Sequence, residues 1–510
     1  MHTQVINLTR FGDLLQTQPV LSGLKARGGR VSLVCLDSFK GAAALLRDLD
    51  GVRVLPGARL LAHLDRSWPL AVAELTAWLD TAGSPGRVLN LTPTLTGRLL
   101  GRAIQGGDVL GFGMDAHGFG QYSSPWAAFL QAASAYRGCS PFNLVDLFQR
   151  VAGLDPGEFR LRAPDAEALD RAGALLSAAP GQRHVAFQLG ASQDYRRWPV
   201  SAFVRAGRVI LDRTGRSPVL LGTASEGHLA REFAEMADYP STDLTGRTDL
   251  PTLAAVLSRM DLLLTNDTGT MHLAAGLDVP VAAVFLATAQ PFDTGPYLEG
   301  SISLEPDMPC HPCSFGDRCP HGLACREAVD GRAVGELLAA GLAEGEWSAT
   351  PAFPARVWQA RRDARGFMDL FSLSGHEGQD RSRWIRIQRE VYRQFLDQHP
   401  YTDAAAWTGA DSEFRSKLEA DLRRCALMLT LVEEQGRLLS LRPSAPIRPK
   451  FLANCQNLED ILAASPTLGV LGPLWRYQSK EQAVDMDAFL FLCGRYRELL
   501  EMFGRRLALA

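Results

Sequence analysis

Up to Phe285, short apolar runs rich in Val, Ile and Leu alternate with longer stretches whose apolar positions recur every three or four residues. Runs of the first kind predict strands and stretches of the second predict crossover helices, the pattern of a parallel sheet. Val5–Leu8, Val31–Leu36, Val52–Leu55 and Arg87–Leu91 read as strands of one unit, with Asp108–Gly113 as a fifth. A connector around Gly153–Pro164 leads into a second series: His184–Leu189, Pro218–Gly222, Met260–Thr265 and Val279–Phe285. Two such domains in tandem predict a cleft, with ligands outside the carboxyl ends of the strands. Gly345–Pro354, with two prolines, reads as a linker. Beyond it the period becomes helical: Trp384, Ile387, Val391 and Phe395 form one stripe, and Phe414, Leu418, Cys425, Leu429 and Val432 another. Arg442–Lys450, with three prolines, predicts a loop between helices. The expected domains are therefore 1–160, 161–345 and an all-helical 356–510.

Charge and length narrow the function classes. Lys plus Arg number 53 against 56 for Asp plus Glu, so a net charge of -3 provides no bulk attraction to nucleic acid. Apolar runs such as Ala426–Val432 fall far short of the roughly 18 to 20 residues that cross a bilayer. The start, Met1–Asn7, enters a strand-like run rather than a charged and then apolar leader, and the expected address is the cytoplasm. Nine cysteines are too few and too odd a number for a disulfide scaffold and read mostly as free thiols.

The informative residues follow the strand ends. After the first strand, Asn7-Leu-Thr-Arg-Phe-Gly-Asp places Gly12 and Asp13 at a turn into a helix expected to reach Lys25. Gly12 permits close approach of a ligand, and Asp13 is either a base for a hydroxyl nucleophile or a carboxylate that a helix start favours anyway. In the second domain, Gly190-Ala-Ser-Gln-Asp-Tyr-Arg follows one strand, and Asn266-Asp-Thr-Gly-Thr-Met-His follows another. Asp267, Thr268 and Gly269 open a helix whose free N–H groups form a diphosphate cradle, completed by Ser192 and the Arg196 guanidinium. The plainer alternative makes Asp267 or Thr268 an N-cap and His272 a helix-surface histidine.

Three stretches together resemble the heptosyltransferases of glycosyltransferase family 9: Arg10-Phe-Gly-Asp with Thr17 and Pro19, Arg196-Arg-Trp-Pro, and Asn266-Asp-Thr-Gly-Thr-Met-His with Pro280. The resemblance covers about residues 1–340. It implies an α/β fold of the GT-B type, two Rossmann-like domains facing across a cleft, here followed by an all-α C-terminal domain. It also implies inverting transfer from a nucleotide-diphosphate sugar such as ADP-heptose, with no cofactor required, to a lipid-linked saccharide acceptor of lipopolysaccharide type. Asp13 would be the general base in a loop with Arg10 and Gly12. Ser192, Arg196, Asp267, Thr268, Gly269 and His272 would hold the donor diphosphate, and Glu226 would reach the ribose. Arg196 stands where the family usually has Lys, which keeps the charge and changes its shape. The implied partners are a nucleotide sugar and a lipid-linked saccharide, with peripheral contact at the inner membrane surface and no nucleic acid. An epimerase or hydrolase on the same scaffold and a non-catalytic sugar-nucleotide binder are the rival readings.

Three features lie outside that reading. Cys310, Cys313, Cys319 and Cys325 form a C-x2-C-x5-C-x5-C cluster that is either a structural metal or disulfide site or a loop of free thiols. Asp48-Leu-Asp50 and Asp485-Met-Asp487 match the Asp-x-Asp pattern of metal-dependent glycosyltransferases but follow no strand end, and read as helix-end carboxylates. Arg383, Arg386, Arg389 and Arg393 share one helix as a solvated face or an anion contact.

Overall fold

The computed structural model describes every residue except 82, 84, 105–108, 137–139, 178, 180–182, 317, 350, 403–404, 442–445, 483–484 and 509–510. The chain forms two compact units, Met1–Ser123 with Asn143–His376 and Ser124–Phe142 with Glu377–Ala510. The first unit holds two sheets. Strands β1 (His2–Ile6), β2 (Arg30–Leu36), β3 (Gly51–Leu55), β4 (Arg87–Asn90), β5 (Val109–Met114) and β6 (Gly120–Tyr122) lie in the order β3-β2-β1-β4-β5-β6. All pairs are parallel except β5 with β6. The second sheet contains β7 (His184–Gln188), β8 (Ser217–Leu221), β9 (Thr242–Asp243), β10 (Leu262–Asn266), β11 (Val281–Val284), β12 (Ile302–Glu305), β13 (Arg356–Arg362) and β14 (Met368–Ser372), in the order β14-β13-β12-β11-β10-β7-β8-β9.

β7, β8, β10 and β11 are buried at every position, which is why they read as unbroken apolar runs. Each strand expected from the sequence is present, with Asp108 outside the described residues. The β13–β14 hairpin is a correction: residues from 356 had been assigned to the helical part. Its two strands pair antiparallel with each other, β13 also pairs antiparallel with β12, and its first residue, Arg356, is ion-paired to Asp307 at 3.0 Å. Polar residues answered by partners distant in sequence hid the strand pattern, and the second segment of the helical unit begins at Glu377.

A second correction concerns the helix expected to run to Lys25. It is two helices, Phe11–Leu15 and Gln18–Ala26. Pro19 would stand inside a continuous helix without an N–H to donate and with its ring against the carbonyl of Leu15, so the chain breaks at Gln16–Thr17.

Chain order reverses direction once in each sheet. In the first, β1 is followed by β2 on one side and, after β3, by β4 on the other; in the second, β10 lies beside β7 on the side away from β8. Loops at such switch points part and leave a crevice. Those loops carry Arg10–Asp13 in one sheet, and Gly190–Arg197 and Asp267–Gly269 in the other.

The second unit consists of helices Asp380–Leu396, Ser412–Leu441, Ile447–Ala464, Leu471–Glu481 and Met486–Arg506, completed by Pro125–Ala133 from the first domain's own sequence. Phe129 is fully buried there, its ring 5.5 Å from Tyr392 and 5.8 Å from Phe142, and Trp126 Nε1 donates to Asp397 at 2.7 Å. The two apolar stripes read from the sequence face this core, with Phe414 half-buried. The arginines do not form one solvated face: Arg389 is buried and donates to the Pro141 carbonyl at 2.8 Å, and Arg386 pairs with Glu377 at 3.1 Å. The proline loop is shorter than expected, because a helix starts at Ile447; residues 442–445 lie outside the described part. Phe129→Ala is expected to destabilise the helical unit by about 3–5 kcal/mol, visible as an earlier first transition in denaturant unfolding followed by circular dichroism.

Candidate active site

The first switch-point loop is held by buried side-chain amides. Asn7, fully buried, donates from Nδ2 to Thr17 Oγ1 at 2.7 Å and to the Asp13 carbonyl at 3.3 Å, while its Oδ1 accepts the Thr9 N–H at 3.0 Å. Thr92 Oγ1 accepts the Leu8 N–H at 2.8 Å, tying the loops after β1 and β4 together. Asp13 lies in the first turn of Phe11–Leu15, partly buried, where free N–H groups favour a carboxylate. Arg10 is the exposed N-cap of that helix.

In the second domain Asn266 has the corresponding part. Its Nδ2 donates to the carbonyls of Leu189 and Gly190, both at 3.0 Å, and its Oδ1 accepts the Trp198 N–H at 2.8 Å. One buried amide thus fixes both loops of this switch point, a role that the sequence motif contained without revealing. Arg196 Nη2 and Asp267 Oδ2 form a short ion pair between side chains only 10% and 12% exposed. So little water reaches the pair that removing one partner would strand the other's charge. Thr268 caps helix Gly269–Gly276 by position rather than by side chain, its hydroxyl standing 3.2 Å from Thr265 Oγ1. The first-turn N–H groups of that helix are therefore not taken by the cap side chain, which suits them to an anion. Ser192 is exposed on its loop. Glu226 forms a capping box with Thr223, accepting its N–H at 2.7 Å, and a Cβ on Gly190 would collide with the Glu226 carboxylate.

The two loops meet. A Cβ on Gly269 would run into the Phe11 ring, and one on Gly12 would stand 2.8 Å from His272 Cδ2 and 3.3 Å from Gly269 Cα. The starts of helices Phe11–Leu15 and Gly269–Gly276 are thus in direct contact, which requires glycine at both positions. His272 is 5% exposed, not a surface residue, and burial pushes its pKa down to about 4 against the opposing effect of Asp267. At neutral pH it is an uncharged imidazole, and its Nδ1 has no partner among the described residues. A neutral ring cannot supply charge to a diphosphate; it can donate or accept one hydrogen bond.

Asp-x-Asp carboxylates stand elsewhere. Asp50 pairs with Lys25 at 2.6 Å, Asp48 accepts from Ser22 Oγ at 2.6 Å, and Asp485 caps helix Met486–Arg506. The eight cysteines in the described residues, including Cys310, Cys313, Cys319 and Cys325, are free thiols, and no group of three or more His, Cys, Asp or Glu there is placed to hold a metal.

Two doubly wound sheets whose switch-point loops converge define the GT-B class of glycosyltransferase folds. The fold matches that of ADP-heptose lipopolysaccharide heptosyltransferase II from E. coli, with a TM-score of 0.50 at 16% identity, covering 68% of this chain and 99% of that one. Residues 143–321 match the family model of glycosyltransferase family 9 (heptosyltransferase). A curated relative, lipopolysaccharide heptosyltransferase 1 of Pseudomonas aeruginosa, is 32% identical over 143 residues, which are 27% of this chain and only 38% of the relative's length. A family 9 glycosyl transferase from Veillonella parvula is also similar, with a TM-score of 0.49, 21% identity, and coverage of 59% of this chain and 85% of the other.

The junction generates two predictions. Gly12→Ala is expected to lose about 1–3 kcal/mol in denaturant unfolding because backbone and imidazole must both move; Gly227→Ala, with no atom within 4 Å of its added Cβ, is the matched control and loses none. His272 has a folded pKa below its unfolded value of 6.5, so its contribution to stability is complete above about pH 6.5 and declines as pH falls toward 4. Between pH 7 and pH 5 the loss is on the order of 2 kcal/mol, and His272→Gln should flatten that part of a melting-temperature profile.

Proposed function

We propose that this chain is an inverting glycosyltransferase that moves a sugar, a heptose in the reading favoured by its family, from a nucleotide-diphosphate donor such as ADP-heptose to a lipopolysaccharide-like or other surface-glycan acceptor. The observation that carries the reading is the contact between the helix start bearing Asp13 and the helix start bearing Gly269. It supports a site in which an acceptor hydroxyl loses its proton to Asp13 while a diphosphate leaves against the first turn of Gly269–Gly276. The family match over residues 143–321 and the Pseudomonas relative's name support the donor class.

In this mechanism no protein nucleophile intervenes. The acceptor oxygen attacks the anomeric carbon from the face opposite the diphosphate, and Asp13 takes the proton as the bond forms. Negative charge growing on the leaving phosphate is met by helix N–H groups, the Thr268 hydroxyl and Arg196. Ser192, on the exposed loop, adds a hydroxyl on the same side. Glu226 reaches the ribose by giving up one arm of its capping box. We assign the reaction to the cytoplasmic face of a membrane holding the lipid-linked acceptor; no helix among the described residues is long and apolar enough to cross it.

The test is a panel of ADP, UDP, GDP and CMP and their sugar conjugates, with EDTA present, read by calorimetry and by transfer to a delipidated glycan acceptor. Asp13→Asn is expected to bind nucleotide like the parent and to lose transfer by at least about a hundredfold. Arg196→Ala is expected to weaken nucleotide binding about tenfold or more. Transfer by Asp13→Asn at the parent rate would remove the general base from the mechanism.

A further inference from the structure

The cysteine-rich segment takes no part in the chemistry proposed above, yet it bonds to two loops that flank the donor helix. Arg326 Nε donates to the Arg197 carbonyl at 2.8 Å, one residue beyond Arg196. Trp198, fully buried, donates from Nε1 to the Val329 carbonyl at 2.9 Å. On the other side, the Cys313 N–H donates to the Ala287 carbonyl at 2.9 Å. Burial raises the pKa of the Cys325 thiol, and a hydrogen bond from the Ala287 backbone works against that rise.

Those contacts fall in a telling order. β11, β10 and β7 are consecutive neighbours in the sheet. The loop after β10 carries Asp267 and is fixed by Asn266, while the loops after β7 and β11 are both gripped by residues of 313–329. The grip on the β11 loop works against backbone preference. Ala287 has φ of +54°, a left-handed conformation that is unfavourable for a residue with a Cβ, and its carbonyl and N–H are both engaged by the segment. Next to it Thr288 is 6% exposed, with a hydroxyl that has no partner among the described residues. A strained residue held at both ends beside an unanswered buried hydroxyl is a loop kept in position for something other than its own stability.

We infer that Cys313, Arg326 and Val329 form a brace that sets the donor-site loops in register, with Arg326 as the positioning residue for Arg196. The brace rests on the donor-site reading above. It gives the cysteine-rich segment a function through its main chain and Arg326. Arg326 touches no substrate; it fixes the main chain that aims Arg196 and so acts on donor affinity rather than on the chemical step.

The experiment is calorimetric titration of the full chain with ADP, UDP and GDP, together with kcat and KM for the donor sugar and melting temperatures. The variants are Arg326→Met, Arg326→Lys, Arg196→Ala and, as a surface control, Arg332→Met. Arg326→Met keeps the apolar stem without the donor group and is expected to bind the preferred diphosphate about tenfold more weakly. It should raise KM with kcat near the parent value and leave the melting temperature unchanged. Arg326→Lys restores most of the affinity, and Arg332→Met binds like the parent. Parent-like binding by Arg326→Met, or an equal loss in Met and Lys accompanied by a lowered melting temperature, overturns the brace. If Arg196→Ala weakens binding and Arg326→Met does not, the brace alone fails. If the parent binds none of the three diphosphates, the donor-site reading fails and the brace falls with it.

Discussion

Two helix starts pressed together is the constraint on which the architecture of the candidate site depends. Each start presents unsatisfied N–H groups and partial positive charge, so bringing Phe11–Leu15 against Gly269–Gly276 is unfavourable unless negative charge is supplied. The chain supplies it twice, with Asp13 in the first turn of one helix and Asp267 just before the other. Asp267 is in turn matched by Arg196, which leaves the region ready for one more anion. The absence of side chains at Gly12 and Gly269 and the uncharged state of His272 follow from the same demand, since added bulk or a second fixed cation at the contact would separate the helices.

Much of this was legible in the sequence because the strands that matter are buried on both faces. β2, β7, β8, β10 and β11 appear as apolar runs, and the residues just beyond the carboxyl ends of β1, β7 and β10 are the ones the loops bring together. The hairpin Arg356–Ser372 was not legible. Its polar residues are answered by distant partners, as Arg356 is by Asp307 and Glu305, and no local pattern reports a partner about fifty residues away. The break at Gln16–Thr17 is encoded in Pro19, which ends up in the first turn of the second helix.

For the site residues the limits are different. Position after the strand ends singled out Asp13, Arg196 and Asp267 as candidates, but not the ion pair between the last two, because 71 residues separate them. His272 read as a surface or ligand residue, and only the closeness of Gly12 shows that its ring is sealed in. Asn7 and Asn266 were visible as polar residues at strand ends, yet their work is to satisfy main-chain groups of neighbouring loops, and an amide buried for that purpose looks in sequence like any loop asparagine. Likewise, the cysteines drew attention to their segment, while Arg326 and two backbone groups make its contacts.

The helical unit borrows Pro125–Ala133 from the middle of the first domain's sequence, and this has a consequence for how the protein is made. Trp126, Phe129 and Leu130 leave the ribosome long before the helices that bury them, since Tyr392 follows more than 250 residues later and helix Leu471–Glu481 later still. At roughly 5–20 residues per second, that apolar helix waits some tens of seconds for its partners. During that interval its apolar face has none of the partners that bury it, so the helical unit closes only after helices Asp380–Leu396 and Leu471–Glu481 have been made.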